Sequence, residues 1–301
     1  MTNTIEEIAE TDFILAIGTN TTETHPIISL KIRKALKKGA KLVVADPRKT
    51  EIAELADLHL QHQAGSDLAL LNAMAQVIIA EELYNKQFVA ERTEGFAELK
   101  AAVEAYTPEY AAKLTGLSPD DIRKAARGYA QAENAMILYT MGITQHICGT
   151  DNVLALANLA LLTGHVGRAY NGLCPLRGQN NVQGACDMGA LPDVYPGYQK
   201  VDLPENQAKF ETAWRVKLSG KPGLTVGEML EGAQAGEVRA MYIIGENPVL
   251  SDPDAKHVVS ALQKLEFLVV QDLFLTETAE LADVVLPAAS FAEKSGTFSN
   301  T

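Results

Sequence analysis

The sequence predicts an α/β protein with mainly parallel sheets. Apolar runs of strand length alternate with helical periods, and one strand–loop–helix–strand block occurs twice in register. The first copy reads DFILAIGTNTTETHP and then KLVVADPRKTEIAELADLHL; the second reads AMYIIGENPVLSDPD and then EFLVVQDLFLTETAELADVVL. In each, one apolar run ends in Gly-x-Asn (Gly18–Asn20, Gly245–Asn247) and the next ends in Asp46 or Asp272. Gly18 to Asp46 is 28 positions and Gly245 to Asp272 is 27. Each Asp is followed 11 positions on by the Asp of an Ala-Asp pair, Asp57 or Asp283. The expected architecture is two Rossmann-like αβα domains related by an internal repeat, 1–179 and an incomplete 180–301. Two similar ligand sites follow, which argues against a single-cofactor enzyme.

Each copy has the chemistry of a nucleotide site. The runs ILAI, LVVA, MYII and FLVV are continuous, as buried parallel strands are. Gly18 and Gly245 at the strand ends let backbone approach a phosphate, and a following helix start offers N–H groups to an anion. Pro26 fits the first turn of that helix, and Pro253 is expected to serve in the second copy. Asp46 and Asp272, ending the next strands, can accept hydrogen bonds from a ribose or base. A single copy is also compatible with Gly and Asp that only make turns; two copies in register favour a ligand.

Between the copies, residues 66–135 read as helical. Ser66 and Asp67 are placed to cap LALLNAMAQVIIAEELY, and Ser118 with Asp121 gives a capping-box pattern before IRKAARGYAQAE. AMILYTMG reads as a buried strand ending in Gly142, with Thr144 and Gln145 just beyond, and DNVLALANLALLTG as a buried helix ended by Gly164. From Gly164 to about Asn206 no strand or helix period is evident, so the expectation is a long ordered loop with a function. Its centre, LRGQNNVQGACDMG, offers Arg177 for bidentate capture of a carboxylate. Gln179, Asn180, Asn181 and Gln183 supply amides, which either line a polar cavity or satisfy buried backbone groups.

Composition bounds the partners. Content of 47% hydrophobic and 21% charged residues over 301 positions predicts a folded protein with room for two modest domains. A net charge of −12 without a basic stripe argues against nucleic acid. In the one basic run, KIRKALKKGAK and the residues before it, Ile28, Ile32, Ala35 and Leu36 share a helix face, leaving the lysines solvated. No apolar stretch reaches membrane-span length and no signal-peptide pattern opens the chain, so no membrane contact by this segment is expected. Cys148, Cys174 and Cys186 form neither a disulfide framework nor a Cys-x-x-Cys site. No metal ligand is assigned, and a cytoplasmic location is expected.

RGQNNVQGACDMGALPD, preceded by LTGHVGRAYNGLCP, closely resembles the catalytic subunit of molybdopterin-dependent formate dehydrogenases. These are part of a larger family that binds two molybdopterin guanine dinucleotides around one Mo or W atom. The resemblance extends along essentially the whole chain through TNTTETHP, VVADPRKTEIAELAD, GSDLALLNA, MGITQH, GENPVLSDPD, VVQDLFLTETAELADVVLP and FAEKSGTFSNT. The loop motif is specific, since nitrate reductases and their relatives carry different sequences there.

The resemblance implies roles. Asn20 and Glu23 would sit at the first phosphate-side loop, where the family often has Asp in place of Glu23. Asp46 and Arg48 would recognise the guanosine end, with Gly65, Ser66 and Asp67 close to it, and Met141, Gly142 and Gln145 would lie beside the pterin. Gly245, Glu246 and Asn247, then Gln271, Asp272 and Thr276, would serve the second dinucleotide. Arg177 would stand next to the metal and hold formate, with Gln179 nearby, while His146 would be structural. Family members also carry a [4Fe–4S] domain, a Cys or selenocysteine metal ligand followed by His, and a carboxyl-terminal domain over the cofactor. The 301 residues contain none of these, so the chain reads as a middle fragment, inactive alone, of a protein that hands electrons to a further subunit or domain. The rival classes are a related two-pterin oxidoreductase with another substrate or a non-catalytic scaffold, and a nucleotide-binding module without redox chemistry.

Overall fold

A computed structural model describes residues 1–299; the last two residues of the expected second domain, which also end the FAEKSGTFSNT match, lie outside the described residues. The chain divides into a compact unit over Met1–Asn180 and a second beginning at Asn181.

The first unit starts with a 3-10 turn, Ile5–Glu10, and strand β1 (Phe13–Ile17). Helices α1 (Thr21–Thr24) and α2 (Pro26–Lys37), then strands β2 (Lys41–Ala45) and β3 (Leu58–Leu60), follow. The β1 run is apolar throughout because both sheet faces are covered. Phe13, Leu15 and Ile17 enter one core, while Ile14 and Ala16 enter the other with Ile28, Ile32 and Ala35 of α2. Pro26 occupies the first position of α2, where its fixed φ suits the helix. The lysines Lys31, Lys34 and Lys38 pair with Glu6 and Glu10 of the opening turn.

Five helices succeed β3: α3 (Asp67–Ala80), α4 (Lys86–Arg92), α5 (Phe96–Val103), α6 (Pro108–Thr115) and α7 (Pro119–Gln131). The Ser118 hydroxyl caps α7 by accepting from the Asp121 N–H at 3.1 Å. Ser66 does not cap α3; its hydroxyl donates to the Gln63 carbonyl at 2.6 Å instead. Strand β4 (Ala135–Tyr139) stops short of the expected Gly142, since the chain turns into helix α8 (Met141–Thr144). Helix α9 (Gly149–Thr163) ends at Gly164 as expected but is buried on one side only. Leu156, Leu159 and Leu162 lie in the core, whereas Leu154 and Leu161 are exposed, because α9 packs from one side on α3, α4 and strand β5 (Gly172–Pro175). The sheet is wholly parallel in the order β3-β2-β1-β4-β5. The direction of winding reverses between β1 and β4, which opens a crevice at their carboxyl ends.

The stretch expected to lack regular structure holds β5, helix α10 (Val182–Asp187) and the hairpin β6 (Val194–Tyr195) with β7 (Gln199–Lys200). Elements this short show no period to count. Helices α11 (Pro204–Trp214) and α12 (Val226–Ala235) lead to β8 (Ala240–Ile244), α13 (Pro248–Ser251), α14 (Ala255–Leu262), β9 (Phe267–Asp272) and β10 (Val284–Pro287). Pro253 does not occupy a helical first turn: Pro248 does so in α13, and α14 begins after Asp254, which caps it by accepting from the His257 N–H. The sheet order is β10-β9-β8, all parallel. β8 departs from the expected full burial. Met241 and Ile243 pack toward α12 and α14, but Tyr242 and Ile244 are 55% and 63% exposed. Among the described residues, helices pack on one face of this sheet and no strand pairs with the far edge of β8. No helix among them is long and apolar enough to cross a membrane.

Candidate functional site

The crevice of the first unit is a cavity of about 600 Å³. Gly18, Asn20, Glu23, Asp46, Arg48, Gly65, Asp67 and Gly142 line it, as do Thr19, Thr24, Thr140 and His146. Gly18 has φ 55, donates its N–H to the Ala45 carbonyl at 3.0 Å, and accepts the Thr140 hydroxyl at 2.7 Å. A methyl group on Gly18 would lie 2.7 Å from the Gly142 carbonyl carbon. The loop after β1 and the start of α8 therefore meet backbone to backbone, forming a floor that a bulky anion can approach.

The polar atoms of this floor fit a nucleotide. Asn20 Nδ2 donates to Glu23 Oε2 at 2.8 Å, while among the described residues Asn20 Oδ1 and Thr19 Oγ1 of the lining are buried without a hydrogen-bond partner. A buried polar group left unpaired costs ~1–3 kcal/mol. Threonine hydroxyls can donate to phosphate oxygens and the Asn20 carbonyl oxygen can accept from a ribose hydroxyl, relieving that cost. Asp46 is 6% exposed; its Oδ1 accepts from the Arg48 N–H at 2.8 Å, and its carbonyl accepts from His59 Nε2 at 3.0 Å.

His62 and Asp67 form a buried pair beside the cavity, with Nε2 and Oδ1 2.9 Å apart. Burial opposes a charge on His62. The hydrogen bond and charge of Asp67, the Leu60 carbonyl 3.2 Å from Nδ1, and the charge of Asp46 outweigh it and raise the His62 pKa. The second oxygen of Asp67 lies 3.8 Å from His146 Nε2, which donates to the Gly142 carbonyl at 2.8 Å. His146 thus braces the crevice wall. Ser66, Met141 and Gln145 stand outside the lining; Gln145 Nε2 contacts the Met141 sulfur at 3.4 Å.

Arg177 and Gln179 leave the end of β5 on an exposed loop. The Leu176 N–H donates to the Tyr139 carbonyl at 2.8 Å, so the ladder holds the chain up to the residue before Arg177. The Arg177 carbonyl accepts from His25 Nε2 at 2.6 Å, linking this loop to the one after β1. Burial raises the Tyr139 pKa, and the charge of Arg177 partly offsets it. The Cys174 thiol, buried in β5, is pushed up to about 11 by burial and stays protonated. Sequence reasoning missed Thr19, His25, His62 and Thr140. Thr19 sits inside Gly-x-Asn and His25 directly before Pro26, so position alone flagged those two; nothing marked His62 or Thr140.

In the second unit, Gly245 has φ 64 and donates its N–H to the Gln271 carbonyl at 2.9 Å. Asn247 Oδ1 accepts from the Thr278 hydroxyl at 2.7 Å, and its Nδ2 donates to Glu277 at 2.8 Å. Glu246 accepts from Ser251, Asp272 from the Leu273 N–H, and Thr276 from the Ala279 N–H, while the Tyr242 hydroxyl donates to Gln271. These residues gather at the carboxyl ends of β8 and β9. The neighbouring cavity, about 640 Å³, is lined largely by apolar side chains such as Val226, Met229 and Met241, and of the expected site residues it includes Glu246.

Comparison with known proteins bears on both regions. The profile of the family described as Molybdopterin oxidoreductase matches residues 1–301. The F420-dependent formate dehydrogenase subunit alpha of Methanocaldococcus jannaschii is 54% identical, over 100% of this chain and 44% of that protein. Formate dehydrogenase H of Escherichia coli is 50% identical, over 99% of this chain and 42% of that protein. The chain thus spans less than half the length of these curated relatives. Acetylene hydratase from Pelobacter acetylenicus superposes with a TM-score of 0.73 over 94% of this chain and 43% of its own, at 24% identity, a likeness of fold.

Proposed function

The chain belongs to the molybdopterin oxidoreductase family, and from that premise we propose that it is the central cofactor-binding region of a molybdenum or tungsten formate dehydrogenase. The reaction of the complete protein is the oxidation of formate to carbon dioxide with release of a proton and two electrons. The observation that carries this reading is Arg177, set at the end of β5 and joined through its backbone to the loop that lines the nucleotide-fitting crevice. The identity to formate dehydrogenase subunits supports it.

In this reading the expected domains 1–179 and 180–301 would each hold one guanine dinucleotide. Asn20 and Glu23 face the phosphates of the first; Asp46, Arg48, Gly65, Ser66 and Asp67 hold its guanosine end; Met141, Gly142 and Gln145 border the pterin. Gly245, Glu246, Asn247, Gln271, Asp272 and Thr276 serve the second. The cofactor supplies the redox centre that takes up the electrons. The chain's own contribution is positional. The Arg177 guanidinium binds the formate carboxylate through two parallel hydrogen bonds, offsets its charge and turns its C–H outward, with Gln179 as a further hydrogen-bonding group. A [4Fe–4S] cluster and an electron-transfer subunit or domain outside this segment would serve as the electron acceptors, in the cytoplasm.

The test is formate-dependent reduction of a viologen dye by the complete protein, with Arg177→Lys beside it. Lysine keeps the charge and loses the fork, so the expected result is a formate KM raised by roughly tenfold or more with lower turnover. No formate-dependent reduction by the native protein would reject the reading. Unchanged kinetics in the variant would remove the role of Arg177.

A further inference from the structure

The His25 side chain ties the crevice loop to the carbonyl of Arg177, across 152 positions of sequence. The base of its side chain is itself fixed. The residue precedes Pro26, which restricts its backbone, and its carbonyl accepts the Ser29 N–H at 2.9 Å in the first turn of α2. The ring is held at both nitrogens, with Thr24 Oγ1 2.9 Å from Nδ1 and the Arg177 carbonyl 2.6 Å from Nε2.

Hydrogen-bond capacity settles which nitrogen carries hydrogen. A carbonyl oxygen only accepts, so Nε2 is protonated whatever the charge of the ring. In the cationic ring Nδ1 donates to Thr24, whose hydroxyl donates to the Asn20 carbonyl at 3.0 Å. In the neutral ring the Thr24 hydroxyl turns to donate to Nδ1. The Asn20 carbonyl then keeps the N–H groups of Glu23 and Thr24, at 3.2 and 3.0 Å. Held at both nitrogens, the ring is a fixed strut.

The strut acts on one peptide. The β-ladder ends at Leu176, and Gly178 follows Arg177, so the His25 bond fixes the peptide plane between Arg177 and Gly178 on its carbonyl side. With the Leu176 ladder bond on the other side, it limits movement of the Arg177 Cα, from which the side chain leaves. We propose that His25 is a positioning residue for the substrate side: it holds the Arg177 backbone so that the guanidinium is presented at a fixed angle to the crevice. This rests on the reading of Arg177 as the formate-binding group.

Two amides separate the bonds. Glutamine at 25 carries an N–H at the reach of Nε2, while asparagine reaches only as far as Nδ1. In the complete protein, His25→Gln is expected to hold the formate KM within ~2-fold, while His25→Asn raises it ~5–20-fold with a smaller change in kcat. Hydrogen exchange, read without turnover, should be ~10-fold faster over residues 176–181 in His25→Asn than in His25→Gln. Equal KM and equal exchange in the two variants would overturn the proposal, as would loss of folded protein in both. Arg177→Lys in parallel separates the two ideas. If it changes nothing, the role of Arg177 fails; if it raises KM while the two His25 variants agree, only the strut fails.

Discussion

The crevice of the first unit and the matching stretch of the second begin from the same backbone bonds and end with different reserves of hydrogen bonding. Gly18 and Gly245 both have positive φ and both donate to the strand that follows, at 3.0 and 2.9 Å. Leu42 donates its N–H to Asp57 Oδ2 at 2.9 Å, and Leu268 donates to Asp283 Oδ2 at 2.8 Å. The Ala-Asp pairs therefore clamp a turn in each stretch. The asparagines diverge: Asn20 Oδ1 is buried without a partner among the described residues, whereas Asn247 Oδ1 is taken up by Thr278. A repeated residue can thus be turn chemistry in both places, or turn chemistry in one and open capacity for a ligand in the other.

The sharpest way to break this comparison is at the glycines. Gly18→Ala places a methyl group against the Gly142 backbone and also strains φ, so a local cost of about 3–5 kcal/mol is expected. Gly245→Ala meets nothing within 4 Å and pays only the backbone strain. That strain is about 1–2 kcal/mol. Hydrogen exchange of the β1 and β8 amides and nucleotide content of the complete protein would read this, with β1 loosening far more. Equal effects would mean that the close approach of the two backbone segments has no energetic weight.

The asparagines come next. Asn247→Ala leaves the Thr278 hydroxyl without its acceptor and should destabilise its own unit by ~1–3 kcal/mol. Asn20→Ala should leave stability nearly unchanged and lower the nucleotide retained by the complete protein. A reversal of these two outcomes would dissolve the distinction between ligand capacity and turn chemistry.

The smallest expected effect is a pH dependence confined to the first unit. The His62 pKa is raised in the folded state, so its pairing with Asp67 stabilises fully below the unfolded value of 6.5 and is lost as pH rises through the higher folded value. Local stability around α3 should fall as pH climbs past neutrality, and His62→Gln should flatten that slope.

Much of this was legible in the sequence because long elements carry a period. The strands FILAI and KLVVA, the helix holding Ile28, Ile32 and Ala35, and the helical tract after Asp67 are where pattern placed them. Gly18, Asn20 and Asp46 of the crevice were legible too, since they follow closely on strand ends. Short elements such as Gly172–Pro175 and Val182–Asp187 were not, because four to six residues define no period. The half-open face of β8 was equally hidden: MYII spells burial, while exposure depends on what covers the sheet. The His62–Asp67 pair and the His25 link had no signature, since each joins residues through loop geometry.

The central claim is that the two stretches hold paired dinucleotides in a formate dehydrogenase. It is tested most directly by metal analysis and acid release of GMP from the anaerobically purified complete protein. The account predicts Mo or W together with about two GMP per metal. Metal-free protein without GMP, or binding of free nucleotides with no metal, would contradict it and favour a nucleotide-binding module without redox chemistry.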